Sequence, residues 1–112
     1  MTQDQAQTTP EAPEFPAVAP RPETRYVVVK LTGAYKGWRC RAKADFPTQQ
    51  LVDLASGDIE KIITVLGEIV VEHNFPNGAG ELAATIQEVD PYRGLLMAGE
   101  AIFTELGKLP NP

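Results

Sequence analysis

Along the chain, the spacing of apolar residues switches from a period of two to one near 3.6, and the switch divides it into strands and helices. In RYVVVKLTG, Val27, Val29 and Leu31 fall on one side; in GWRCRAKAD, Trp38, Cys40, Ala42 and Ala44 fall on one side and Arg39, Arg41 and Lys43 on the other. Such alternation, with β-branched residues favouring extended backbone, predicts two strands. The link TGAYKG has a glycine at each end and suits a short hairpin loop tipped by Ala34, Tyr35 and Lys36, so residues 25–45 read as a β-hairpin. A lone hairpin is marginal in water and must pack its apolar side on something.

Helical spacing follows. TQQLVDLASG predicts a short helix over about 48–56, with Thr48 as cap, Leu51, Val52 and Leu54 as apolar edge and Gly57 as the stop. The strongest signal spans 58–74. Ile59, Ile62, Ile63, Leu66, Ile69 and Val70 recur on one face, and Glu60, Lys61, Thr64, Glu68 and Glu72 occupy the other. Burying those six side chains would contribute at most on the order of 10 kcal/mol before chain entropy is subtracted. Asp58 or Gly57 serves as N-cap, and Pro76 keeps Phe75 out of the α region, which ends the helix at Asn74. Leu82, Ala83, Ile86 and Val89 predict a further short helix over 81–89. Asp90-Pro91, an acid cap before proline, opens a last one over 91–106, with Leu95, Leu96, Ile102, Phe103 and Leu106 as its apolar face and Gly107 as its stop. Gly94 and Gly99 each weaken that helix by roughly 1 kcal/mol relative to Ala and point to close packing on a neighbour. The pattern thus predicts an α+β domain over 25–109, a hairpin packed on three to four helices, with 110–112 as a short end.

Composition removes the first 24 residues from this domain. Half of the ten prolines lie within the first 22 residues, among Gln, Thr, Ala and Glu, and no apolar period runs through them, so 1–24 reads as a disordered, Pro-rich tail. Cys40 is the only cysteine, which leaves no intramolecular disulfide or Cys-based zinc site and suits a reducing compartment. No secretory signal opens the chain and no apolar run approaches the roughly 20 residues of a bilayer span, which predicts a soluble cytoplasmic protein without membrane contact. The net charge of −5 is segregated: residues 1–24 carry −3, residues 25–45 carry +5 and residues 46–112 carry −7.

Candidate chemistry is sparse. No nucleophile and base pair stands out, because the one histidine, His73, has no Ser or Cys close in sequence; it reads as a half-buried histidine favoured by the carboxyl end of its helix. Glu68 and Glu72, four apart, read first as a solvated face, second as partners for basic groups of this chain or another, and last as an acid/base or metal pair. Val71, close to Gly67, lies among those charges and marks the same flank as a contact surface. Arg39, Arg41 and Lys43, with Lys36 at the hairpin tip and Tyr35 and Trp38 interleaved, resemble a nucleic-acid-binding ribbon. The acidic pI of about 4.8 argues against that use, leaving a solvated strand face or a site for an acidic protein surface. The glycines of Gly78-Ala79-Gly80, Gly94 and Gly99 lack the lysine and preceding strand of a phosphate loop. No catalytic, metal-binding or cofactor-binding residue is assigned.

A strand pair ending in GWRCRAKAD, then LVDLASGDIEKIITVLGEIVVEHNF, a Gly-containing loop and a closing helix ending in LGKLPNP resembles the small tail assembly chaperones of long-tailed bacteriophages and prophages. The resemblance covers about residues 25–109 and rests on LASGD and VEHNFPNGAG. It implies a non-enzymatic protein, without cofactor, that binds the tape measure protein and/or the tail tube protein in the host cytoplasm during assembly and then departs. It leaves homo-oligomerisation open. The alternatives are a minor virion component, such as a connector or tail-completion protein, and a small protein- or nucleic-acid-binding module. The proline-rich N-terminal segment has no counterpart in the resemblance. Tyr35, Trp38, Arg39, Arg41, Lys43, Glu68, Val71 and Glu72 are the candidate partner-binding residues.

Overall fold

The structure of the protein, a computed structural model, describes residues 17–110. The predicted disordered tail therefore lies for the most part outside the described residues, as do the last two residues of the chain; residues 17–24 are all exposed and form no regular element.

Two strands form where the period of two predicts them, β1 over Tyr26–Lys30 and β2 over Arg39–Lys43, each alternating exposed and buried residues. They pair antiparallel, with Tyr26 opposite Lys43, Val28 opposite Arg41 and Lys30 opposite Arg39. The link closes through one 3-10 turn over Gly33–Tyr35, which opens on Gly33 and is followed by Gly37, at φ +67° and +97°, a region that L side chains rarely adopt. Arg25 ties the open end: its guanidinium donates to both carboxylate oxygens of Asp45 at 3.1 Å and to the Pro110 carbonyl at 2.7 Å.

Helix α1 runs over Thr48–Leu54 and α2 over Ile59–Ile69, joined by a turn in which Gly57 takes φ +79°. The Asp58 side chain caps α2 by accepting from the Lys61 N–H at 3.3 Å. Thr48, predicted as a cap, is instead the first residue of α1, and Pro47 occupies the capping position. Helix α3 runs over Tyr92–Leu106. Its capping residue is Pro91 rather than Asp90, and no side chain closes its first turn.

Two predicted helices are corrected. The helix expected over 58–74 ends at Ile69, and Val70–His73 form a third strand, β3, on the outer edge of β2, giving the order β1-β2-β3. Cys40 lies opposite His73, Arg41 opposite Glu72 and Ala42 opposite Val70, so Val71 is the extra residue of a bulge. A helix continued through His73 would leave the backbone groups on that edge of β2 without these partners; two consecutive valines also favour extended backbone. The helix expected over 81–89 does not form beyond one 3-10 turn, Ile86–Glu88. The donors there go elsewhere. Ala83 N–H donates to the Phe75 carbonyl at 2.9 Å and Asp90 N–H to the Pro76 carbonyl at 3.0 Å, strapping the segment along residues 75–77. Ala83, Ile86 and Val89 are nonetheless buried, while Leu82, expected beside them, is 66 % exposed, so the spacing reported most of the buried side of a strap rather than a helix.

The core lies between the inner face of the sheet and the helices. Phe75, Leu66, Ile69, Leu95 and Ile102 are its largest fully buried side chains, closed by Val27, Val29, Cys40 and Ala42 from the sheet. Fully burying a side chain of that size contributes about 1.5–3 kcal/mol. Among the described residues, no helix is long and apolar enough to cross a membrane.

Candidate binding surfaces

The alternation along β1 and β2 sends Val27, Val29, Cys40 and Ala42 into the core and leaves Lys30, Arg39, Arg41 and Lys43 exposed on one face of the sheet. Register sharpens the charge. Lys30 stands directly opposite Arg39, a like-charged pair that opposes pairing of the strands. Arg41 is held on both sides, its guanidinium 4.7 Å from the Tyr26 ring centre and its Nε 3.4 Å from the Glu72 carboxylate. Both partners of that ion pair are largely exposed, so it positions Arg41 more than it stabilises the fold.

Trp38 leaves the cationic face. Its indole packs against the core, edge-on to Tyr35 at 5.0 Å between ring centres and tilted on Phe75 at 5.2 Å; Phe75 in turn stacks on His73 at 5.0 Å. Tyr35 and Trp38 are interleaved with the cations along the chain, but the period of two puts Trp38 on the opposite side from Arg39 and Arg41, and the fold uses both rings to anchor the hairpin end. Asn74 completes that anchor, accepting from the Arg39 N–H at 2.8 Å and donating to the Gly37 carbonyl at 2.9 Å.

His73 does not sit at a helix end, and the expected favourable dipole is absent. Desolvation lowers its pKa instead, and its Nδ1 accepts from the Phe75 N–H at 3.0 Å, a bond that only the neutral ring can accept. Cys40, its cross-strand neighbour, is buried, and desolvation pushes its thiol up to about 12. A nucleophilic cysteine requires the opposite shift. Among the described residues, no group of three or more His, Cys, Asp or Glu is placed to hold a metal ion.

Glu68 and Glu72 are separated by the helix-to-strand change. Glu68, on α2, accepts from the Gln50 side-chain amide of α1, and Glu72, on β3, pairs with Arg41. Of the open readings, pairing with a basic group of this chain therefore describes Glu72. Val71, 43 % exposed on the bulge, lines with Glu68 a shallow hollow of about 480 Å³ against residues 84–87.

The apolar feature that periodicity misses lies between the turn joining α1 and α2 and the outer side of α3. Leu54, Ile59, Ile62, Leu96 and Phe103 line an open cleft of about 560 Å³ there, with Gly99 at its floor and Glu100 on its rim. Ile59 and Phe103, predicted on buried faces, are 47 % and 48 % exposed. Their helical spacing is right, but no element of the described residues covers them. The signal available in sequence was Gly99, whose missing side chain leaves room between Ile62 and Leu54.

Comparison with protein-family models, with curated proteins and with solved structures returned no match.

Proposed function

We propose that the protein is a non-enzymatic assembly chaperone of the phage-tail type, which binds an apolar helical segment of a tape measure protein and/or a tail tube protein during tail assembly in the host cytoplasm. The single observation that carries this reading is the open cleft between the α1–α2 turn and α3. Ile59 and Phe103 line it as half-exposed large apolar groups together with Leu54, Ile62 and Leu96, a lining suited to the apolar face of an amphipathic helix. The resemblance carried by LASGD and VEHNFPNGAG supplies the choice of partner. LASGD forms the turn that shapes one wall of the cleft, with Leu54, Ala55 and Gly57 among its lining. The cationic sheet face lies on another part of the surface and would orient the complex without closing over the cleft.

The test is coexpression with the long helical protein of the same gene cluster. Wild-type chain keeps that protein soluble and copurifies with it, while Ile59→Asp combined with Phe103→Asp folds but releases it. Retention of the partner by the double variant, or absence of both a tail tube gene and a tape measure gene from the neighbourhood, sinks the reading. Presence of the chain in finished, purified particles would assign it to the virion instead.

A further inference from the structure

Beside the hairpin end lies a second groove with different chemistry. Lys30, Lys36 and Arg39 line a hollow of about 750 Å³ together with Leu31, Trp38 and Asn74. Through Arg39 and Asn74 it continues into a smaller hollow of about 260 Å³, which Val28, Arg41 and His73 line. Among the described residues lining the two, Glu72 alone is acidic, and Arg41 already holds it.

We propose that this continuous groove binds an acidic, extended segment of a partner protein that carries an apolar side chain between carboxylates. Three observations meet in it. Lys30 and Arg39 are juxtaposed by register against the preference of a sheet for opposite charges, and an incoming carboxylate between them removes that repulsion. The half-buried Trp38 adds an apolar surface beside the cations, so the site favours a segment mixing the two chemistries over a uniformly charged one. The remainder of the molecule, with net charge −7 over residues 46–112, repels a long polyanion far more than a short peptide with a few carboxylates. This site does not depend on the apolar cleft or on the chaperone reading, since it shares no lining residue with the cleft.

Trp38, the only tryptophan of the chain, lines the groove and reports on it directly. The full chain is titrated with a short peptide of one leucine between pairs of glutamates, lacking aromatic residues, and Trp38 fluorescence is followed. A saturable change is expected, with affinity falling about tenfold or more between roughly 0.05 M and 0.5 M salt. Lys30→Gln with Arg39→Gln should lower affinity at least about tenfold while leaving the melting temperature equal or higher, because it also removes the like-charged pair. Lys61→Gln, on α2, should change nothing. The proposal is overturned by absence of a saturable signal, by unchanged affinity in the double variant, by an equal loss in Lys61→Gln, or by tighter binding of an oligothymidine than of the peptide.

Discussion

Gly94 of α3 lies against the indole of Trp38 so closely that a Cβ built on it would overlap Cζ3 and come within 2.6 Å of Cε3 and Cη2. The ring is held between Tyr35, Phe75 and α3, with only its groove side open. Gly94→Ala should therefore destabilise the protein by about 2–3 kcal/mol, as overpacking does, seen as a lower urea midpoint with the slope unchanged. Gly99→Ala is the internal control. Its Cβ would meet Ile62 and Leu54 at 3.6 Å, ordinary contact, so the substitution should be neutral or stabilise by up to about 1 kcal/mol through helix propensity. If both glycines behave alike, the wedge is not the cause.

Asn74 should carry more stability than an exposed asparagine usually does. It joins β2 and the hairpin loop through two side-chain hydrogen bonds, at 2.8 Å and 2.9 Å. Asn74→Ala should cost about 1–2 kcal/mol. Asn74→Asp keeps the acceptor for the Arg39 N–H and loses only the donor to the Gly37 carbonyl, so its denaturation midpoint should fall between those of wild type and Asn74→Ala.

His73 gives the protein a pH dependence of defined sign. Desolvation lowers its pKa below the ordinary 6.5, so the unfolded chain takes up the proton first as pH falls. The stability is fully present above about 6.5, declines as pH drops below it, and levels off once the folded-state pKa is also passed. Unfolding free energy followed across this range should show that decline in wild type and lose it in His73→Gln. A second decline at more acidic pH remains in both, because the hydrogen bonds from Arg25 hold the Asp45 carboxyl below its usual range.

The thiol of Cys40 should be nearly silent toward alkylating reagents in the native state. It is buried in the sheet and its thiolate is disfavoured up to about pH 12. Labelling should proceed at least about a thousandfold more slowly than for a free thiol and track unfolding under added urea. Fast native labelling would show that the strand pair opens locally at Cys40.

The strands β1 and β2, the helices α1 and α3 and most of α2 were legible because each rests on a local period and on local punctuation: Gly33 and Gly37 at the hairpin end, Asp58 as cap, Gly57 and Gly107 beside helix ends. The cationic strand face was legible for the same reason, since alternate residues of a strand must part to opposite sides. The misread end of α2 has a defined origin. Ile69-Val70-Val71 satisfies a helix and a strand equally well, and the choice was made by the free edge of β2, some thirty residues earlier in the chain.

Sequence alone determined the α+β composition of the domain, the hydrophobic faces that had to be buried and the segregation of charge. These depend on neighbours within a turn or a strand, where spacing dictates geometry. Tertiary structure alone decided that Val70–His73 become the third strand, that 81–89 straps along 75–77, and that Gly94 is the residue against which Trp38 packs. It also decided where burial stops. Ile59 and Phe103 carry the same pattern as their buried neighbours, and only the crossing of α3 past the α1–α2 turn leaves them at the lip of an open cleft, because exposure depends on what else packs nearby and not on the residue's own place in its helix.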